Sequence, residues 1–292
     1  PDGTRVELGT AYLGGTTLGA DLLAVRNDDD TGEHFFDVID ASGAVTESVA
    51  FVSGLAVNEA HSTVAYVSPE GELMTLWDPD TGADGRVSME TGLAADVSPV
   101  AVLGGPSCYE SVDGCTVIIN HGDGQTPPES VSSHGITDQI VFTDPVPIRA
   151  TDASVEALVT FQTSSSDTGS CNGLFEMGTG DYRWETCDQY LLDLSPSGAH
   201  VATTDAYLDG LGLGYVAIVD TTTQEELVRL DPADGFVSTQ MWESDSSLLV
   251  TAYDAGSWSI WRLGVDGSTE QVVGPSTDGD DLSPAFTLLR GY

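Results

Sequence analysis

Short apolar segments separated by turn-forming residues recur along almost the whole chain, roughly every 8 to 12 residues. Between residues 54 and 89, four such segments are separated by tight turns: 54–57, 63–67, 73–77 and 86–89. Segments of this length bounded by Gly, Pro, Asn, Asp and Ser are typical of β-strands joined by hairpins. Almost no stretch shows a helical pattern, so the sequence predicts an all-β fold built from four-stranded units.

The four-stranded unit repeats at a nearly constant spacing. The turn between its third and fourth segments recurs at intervals of 39 to 53 residues, near Gly43, Gly82, Gly135, Gly180, Thr223 and Gly267. Repeats of about 40 to 50 residues with four strands each are typical of β-propeller blades. Six such units fill residues 11–275.

Two strand-like segments remain outside the six units, Thr4–Leu8 and Pro284–Leu289. A sheet that combines strands from both chain ends would close a ring of sheets and remove its open edges. We therefore expect a seven-bladed β-propeller whose last blade is shared by the N- and C-terminal strands, with six blades as the alternative. Because 292 residues suit one large all-β domain, residues 1–292 are expected to form a single β-propeller domain.

The charge of the chain limits its partners. There are 47 acidic residues against 8 basic residues, all of them arginine, and the net charge is −39. This disfavours nucleic acid and anionic membrane surfaces as partners, because both are bound through positive charge. The acids are scattered, which favours a solvated acidic coat adapted to high salt over a cation-binding surface. We therefore expect stability to rise with added salt, which screens the self-repulsion.

Four cysteines occur, and none is spaced for a zinc site. Two local disulfides are expected, Cys108–Cys115 within one loop and Cys171–Cys187 on the opposed strands of a hairpin. Disulfides persist in oxidising compartments, so the protein is expected to be extracellular or on the cell surface. No transmembrane segment is visible, and the start at Pro1 suggests that an upstream segment precedes this sequence.

Two motifs resemble a known family. Residues 76–82, Leu-Trp-Asp-Pro-Asp-Thr-Gly, resemble the end of a WD-type or YVTN-type repeat strand. Residues 193–198, Asp-Leu-Ser-Pro-Ser-Gly, resemble the Ser-Pro-Asp-Gly turn of such repeats. The chain is thus similar to secreted bacterial WD-repeat-like (YVTN- or TolB-like) β-propeller proteins. The resemblance implies a repeat scaffold and a binding module, and it assigns no chemistry to any residue.

Long polar loops are the best indication of a functional surface, because loops on rigid scaffolds often carry binding. Five loops stand out: 27–34, 120–129, 164–172, 205–214 and 277–283. The candidate binding residues are Tyr207 and Asp209 with Arg149, the pair His121 and Asp123, and Asp167 on the third loop. Tyr207 packing against a neighbouring loop and His121 as a surface histidine are the alternatives. The tryptophans at 77, 184, 242, 258 and 261 are expected to pack between blades.

Two of these loops contain several possible calcium ligands. The candidates are Asp28 and Asp30 in the first loop and Asp278 and Asp280 in the last, because calcium prefers six to eight oxygen ligands. Neither loop matches the EF-hand pattern, which favours solvated acidic loops over bound calcium. No other cofactor is expected.

The sequence contains neither the catalytic motif of a metalloprotease or a serine hydrolase nor a phosphate-binding glycine loop. It therefore favours an extracellular, non-enzymatic β-propeller that binds a protein, peptide or glycan through its long-loop face. One alternative is a carbohydrate hydrolase or lyase on the same scaffold, and another is a structural subunit of a cell-surface assembly. The oligomeric state stays open.

Overall fold

The computed structural model describes residues 8, 10, 12–28, 31–77, 86–91, 96–106, 108, 114–132, 137–155, 157–207 and 212–288. Within these ranges the chain forms 24 β-strands and no α-helix, and it therefore contains no helix that could span a membrane. The strands form six sheets, each of four sequential strands in which every strand pairs with the next. The all-β prediction is confirmed.

The chain divides into two compact units of three sheets each. Unit 1 comprises residues 1–123, 129–138 and 289–292, and unit 2 comprises residues 124–128 and 139–288. The strands of unit 1 are β1 Gly14–Leu18, β2 Asp21–Asn27, β3 His34–Ile39 and β4 Val45–Phe51 in sheet 1; β5 Ser53–Val57, β6 Thr63–Val67, β7 Glu72–Trp77 and β8 Arg86–Thr91 in sheet 2; and β9 Val97–Leu103, β10 Thr116–His121, β11 Glu129–Ser132 and β12 Thr137–Gln139 in sheet 3.

Unit 2 repeats this organisation. Its strands are β13 Arg149–Ala153, β14 Leu158–Ser166, β15 Gly169–Glu176 and β16 Asp181–Thr186 in sheet 4; β17 Gln189–Leu194, β18 His200–Asp205, β19 Val216–Asp220 and β20 Glu226–Leu230 in sheet 5; and β21 Phe236–Ser244, β22 Ser247–Asp254, β23 Ser257–Gly264 and β24 Thr269–Ser276 in sheet 6. The six predicted turn positions all fall between the third and fourth strands of their sheets. Gly82 and Gly135 themselves lie outside the described residues.

The middle sheet of each unit contains a strand that is buried on both faces, β6 in unit 1 and β19 in unit 2, and each reads as an apolar run rather than as an alternating pattern. All five residues of β6 are buried. Because side chains alternate along a strand, Val64 and Tyr66 pack with sheet 1, whereas Ala65 and Val67 pack with sheet 3. Sheet 5 does the same in unit 2, where neighbouring residues of β18 join clusters with sheet 4 and with sheet 6.

The count of sheets corrects the favoured count of seven blades. The described residues form six four-stranded sheets, which is the stated alternative. Residues 284–288 form no strand, and the chain reverses just before them through hydrogen bonds between Asp280 and Ser283. Each sheet is already completed by four sequential strands, so the short apolar segment of the C-terminus has no strand to pair with among the described residues. Thr4–Val6 and Glu7 lie outside the described residues.

Both predicted disulfides are present. Cys108–Cys115 closes the connection from β9 to β10, and both cysteines are buried in the apolar cluster between sheets 2 and 3. Cys171–Cys187 links β15 to the residue that follows β16, as expected for opposed positions of one hairpin. The second disulfide therefore also fixes the start of the connection from sheet 4 to sheet 5.

Candidate functional site

The connections between second and third strands and the connections between sheets lie at the same end of each sheet, because consecutive strands run antiparallel. In unit 2 we call this end the loop end, and it comprises residues 148–149, 166–169, 187–189, 205–215, 231–236, 254–257 and 276–283. It contains three of the predicted binding residues, Tyr207, Arg149 and Asp167. The opposite end, which holds the turns between third and fourth strands, is called the turn end.

The loop between β18 and β19 is fixed to the sheets on both sides of its own. Near its start, the Ala206 carbonyl accepts hydrogen bonds from the backbone N–H of Ser170 at 3.0 Å and from its hydroxyl at 3.1 Å, both in sheet 4. Near its end, Leu213 and Val237 of sheet 6 exchange backbone hydrogen bonds of 2.9 and 2.8 Å. These anchors hold both flanks of the loop in place.

Glycine is required at one of these anchors. A Cβ at Gly212 would come within 2.6 Å of the Val237 carbonyl oxygen and closer still to the Phe236 ring. Only a residue without a side chain lets the loop approach sheet 6 this closely. Within residues 212–214, Gly212 therefore makes a close packing contact with sheet 6.

Three of the predicted binding residues lie at the loop end with exposed side chains. Tyr207 is 50% exposed and follows the anchored Ala206 directly. Arg149 is the first residue of β13, and Asp167 occupies the turn between β14 and β15. Asp209 lies outside the described residues. The predicted loop at 164–172 is wrong in its extent, because β14 and β15 continue as paired strands to Ser166 and Gly169 and leave a two-residue turn.

The loop end is strongly acidic. Among its described residues every aspartate is exposed, and Arg149 is the one basic residue. The aspartates are Asp167, Asp188, Asp205, Asp231, Asp234, Asp254, Asp278, Asp280 and Asp281. These carboxylates give the loop end a negative potential, which attracts positively charged groups.

A polar row crosses sheet 4 near the loop end, and the sequence reasoning missed it. Arg149 pairs with Gln162, Gln162 with Asn172, and Asn172 with Thr186, so these side chains occupy equivalent positions on all four strands. The Asn172 carboxamide donates hydrogen bonds to the Ser170 hydroxyl and to the Gln189 carbonyl of sheet 5, which shows that the row faces sheet 5. The only signal in the sequence was a polar residue beside Phe161 and beside Cys171 within buried strands.

An aromatic–cation contact lies beside the β18–β19 loop. The Arg229 guanidinium sits 3.8 Å above the centre of the Tyr215 ring and is held there by two hydrogen bonds to Glu226. Burial raises the pKa of the Tyr215 hydroxyl, and the Asp205 carboxylate raises it further. This phenol therefore stays neutral and serves as a packing surface for Arg229.

The predicted pair of His121 and Asp123 belongs to unit 1. The Nε2 atom of His121 lies 3.3 Å from a carboxylate oxygen of Glu129, across the connection from β10 to β11. Asp123 lies in the turn that follows His121. The described contact of His121 is thus with Glu129, which the sequence reasoning did not select, and a binding role for His121 and Asp123 stays a prediction.

Two of the four predicted calcium ligands, Asp28 and Asp280, accept hydrogen bonds within their own loops. An oxygen of Asp28 accepts a hydrogen bond from the Thr31 backbone, and an oxygen of Asp280 accepts one from the Leu282 backbone. Asp278 is exposed, and Asp30 lies outside the described residues. No group of three or more His, Cys, Asp or Glu side chains suited to a metal ion occurs in the described part of the chain. Calcium binding stays a prediction.

Comparison with known proteins identifies the fold. The chain is similar to the β-propeller domain of Cps50 (Swd1) from Myceliophteria thermophila, with a TM-score of 0.55, 10% identity, and coverage of 94% of this chain and 90% of that chain. The fold is a β-propeller. A chain in the crystal structure of the mitotic checkpoint complex is also similar, with a TM-score of 0.53, 11% identity, and coverage of 96% and 87%. No protein-family model matches this propeller, and neither does any curated protein.

Proposed function

We propose that this β-propeller is a non-enzymatic binding protein that holds a basic segment of a protein partner on the loop end of unit 2. The observation that carries the proposal is the loop end itself, which presents exposed aspartates together with Tyr207 and one arginine. Sheets fixed by their cores present these side chains with little loss of freedom on binding. A partner with arginine or lysine side chains would meet several carboxylates and an aromatic ring together.

The comparisons support a protein partner rather than another class of ligand. One structurally similar chain comes from a structure of a complex, the mitotic checkpoint complex. A neutral glycan would gain little from the aspartates, whereas a basic peptide would gain from each of them. We therefore favour a protein or peptide over the glycan that the sequence left open.

We further propose that the protein is extracellular, as in the secreted bacterial propellers that its repeats resemble. The two disulfides support this location, because such bonds persist in oxidising compartments. The acidic coat supports an adaptation to high salt. The propeller domain of Cps50 aligns with 94% of the chain, which supports a single propeller domain over residues 1–292.

The proposal is tested with a peptide probe. A nine-residue peptide of alternating Arg and Gly, amidated at its C-terminus, is titrated into the protein in an isothermal calorimeter at 0.15 M salt. The variant Asp167→Asn/Asp205→Asn removes two exposed carboxylates of the loop end, whose side chains form no described hydrogen bond. We expect its affinity to fall about tenfold, because two ion pairs are lost at a partly screened surface.

The matched control is Asp181→Asn/Glu225→Gln, which removes the same charge from the turn end of unit 2. We expect its affinity to stay within about twofold of the original, because the two sites lie away from the loop end and their charges are screened. Equal losses in the two variants would show that only net charge matters. Absence of binding to the original protein would refute the proposed function.

A further inference from the structure

Arg149 stands apart from the other arginines whose side chains are described. Arg26 pairs with Asp37, Arg183 with Glu176, Arg229 with Glu226, and Arg262 with Glu243 and Glu270. Arg149 is exposed and forms no ion pair with any residue that the structure describes. In a chain with 47 acidic residues, an arginine without a carboxylate partner is unexpected on charge alone.

The neighbour of Arg149 has an unused amide. Gln162 is directly opposite Arg149 in the β13–β14 pair, and its residue is only 8% exposed. No described residue hydrogen-bonds its side chain, and its amide atoms are not among the fully buried ones, so they are open to solvent or a ligand. The Arg149 guanidinium and the Gln162 amide thus begin one polar row, and both groups can donate hydrogen bonds.

The next position of the row also has unused capacity. Asn172 is fully buried, and both of its described side-chain hydrogen bonds are made by the amide nitrogen. Its side-chain oxygen has no partner. The row therefore has unused acceptor capacity at Asn172 beside the unused donors at Gln162 and Arg149.

The corresponding row of sheet 1 shows that this polarity is not a general requirement of the fold. Val25, Phe36 and Val49 lie opposite one another on three neighbouring strands and belong to the apolar cluster between sheets 1 and 2. Sheet-on-sheet packing therefore does not require polar residues at the positions that Arg149, Gln162 and Asn172 occupy in sheet 4. In sheet 4 the row adjoins the exposed loop end, where a ligand can reach Arg149.

We propose that Arg149, with Gln162 beside it, holds a carboxylate of the peptide that occupies the loop end. The inference rests on the proposed function and adds the orientation of the peptide to it. A guanidinium binds a carboxylate through two parallel hydrogen bonds, which fix direction as well as position. Basic side chains of the peptide would meet the surrounding aspartates, and a single carboxylate would fix where the peptide begins or ends. That carboxylate comes from the chain end or from an acidic side chain.

Three peptides separate these sources. The first is the amidated Arg/Gly peptide used above, the second has the same sequence with a free C-terminal carboxylate, and the third is amidated with its central residue replaced by Glu. Each is titrated into the original protein and into Arg149→Gln, Arg149→Lys and Arg183→Gln. Arg183→Gln is the matched control, because it removes an arginine that already has a carboxylate partner.

We expect at least one carboxylate peptide to bind the original protein and Arg183→Gln about tenfold more tightly than the fully amidated peptide. In Arg149→Gln this advantage disappears, and in Arg149→Lys it is reduced, because an ammonium lacks the planar fork. A gain with the free C-terminus alone assigns the chain end, and a gain with the Glu peptide assigns an acidic side chain.

The comparison uses the ratio of affinities within each variant, so a general loss of stability cancels, and Arg183→Gln reports how the same change of net charge affects that ratio. If the amidated peptide binds the original protein and neither carboxylate strengthens binding, the proposed function stands and this inference is overturned. An advantage that persists unchanged in Arg149→Gln also overturns it. If no peptide binds, both proposals fail.

Discussion

The two units have the same sheet topology but bury polar groups in different ways. In unit 1 the buried carboxylate of Asp37 finds most of its hydrogen-bond donors within its own sheet. It accepts hydrogen bonds from the Arg26 guanidinium at 2.9 Å and the Ser48 hydroxyl at 2.5 Å, and also from the Tyr12 hydroxyl at 2.9 Å. Unit 1 also has a polar contact between sheets, from the Ser53 hydroxyl of sheet 2 to the Val97 carbonyl of sheet 3, but in unit 2 the groups that cross from sheet to sheet include two tryptophan indoles. The Trp184 indole donates to the Thr221 carbonyl and the Trp242 indole to the Asp193 carbonyl, at 2.7 and 3.0 Å.

Apolar packing and directed hydrogen bonds contribute differently to how neighbouring sheets are held together. Apolar contacts between sheets are strong but have no direction, so they permit small shifts of one sheet on the next. An indole N–H aimed at a backbone carbonyl defines one relative position. The two tryptophan bonds define the placement of sheet 5 against sheets 4 and 6, and the anchored β18–β19 loop lies between those same sheets.

Replacing Asp37 with Ala is expected to have the largest effect, about 3 kcal/mol of unfolding free energy. The residue is only 3% exposed, and its loss leaves the Arg26 charge and two hydroxyl donors without their partner. Urea unfolding followed by circular dichroism measures the change. Glu70→Ala, an exposed carboxylate in the same unit, is the control and should change the free energy by less than about 0.5 kcal/mol. An equally small change in Asp37→Ala would show that the hydrogen bonds of Asp37 add little to stability.

The same network makes a pH prediction. Burial alone would raise the pKa of the Asp37 carboxyl, but the hydrogen bonds from Arg26, Ser48 and Tyr12 together lower it below its ordinary value. A lowered pKa means that the stabilisation is present above the unfolded-state pKa of about 3.9 and is lost as the pH falls through the folded-state pKa. The difference between the original protein and Asp37→Ala should therefore shrink below about pH 4.

Trp242→Phe tests the indole bonds of unit 2 and is expected to cost about 2 kcal/mol. Trp261→Phe is a close control, because Trp261 packs on the same apolar cluster and has no described hydrogen bond. It should cost about 1 kcal/mol, since only packing is lost, and the difference of about 1 kcal/mol measures the bond to Asp193. Equal costs in the two variants would mean that the indole bond adds nothing to packing.

Glu226→Gln should have the smallest effect, about 0.5 kcal/mol. The Arg229–Glu226 pair has an N–O distance of 2.6 Å, but both side chains are 38% exposed, so water competes for the same charges. Its neighbour Glu225→Gln, which lacks an ion pair among the described residues, should show almost no change. A loss of unfolding free energy as large as that of Asp37→Ala would show that burial does not explain the difference in strength between the Arg26–Asp37 and Arg229–Glu226 pairs.

Local chemistry made much of the fold predictable. The turns near Gly43, Gly180 and Gly267 were found because Gly at positive φ and Asp side chains shape a hairpin within a few residues. The disulfide of Cys171 with Cys187 followed from equal spacing about one turn. The extent of β14 and β15 was wrong, because Ser and Asp in an exposed hairpin look like a loop until their pairing is known.

The candidate site was predictable only in part, for a related reason. Tyr207, Arg149 and Asp167 were selected for residue type and loop position, and they do lie at one end of unit 2. Gln162 and Asn172 were missed because their importance comes from facing Arg149 across strands. The number of blades was also decided by pairing, since the segment at 284–288 looks like a strand but has no partner strand among the described residues.

The amino-acid sequence by itself determined most of the strands and hairpins, both disulfides and the acidic charge, because each depends on residues close together in the chain. The tertiary structure alone decided which arginines are neutralised and which polar side chains share a row, because strand register and sheet packing set those neighbours. Arg149 shows the difference most clearly. In the sequence it is one of eight basic residues, and in the fold it is an exposed cation opposite Gln162, whose side chain has no described hydrogen bond.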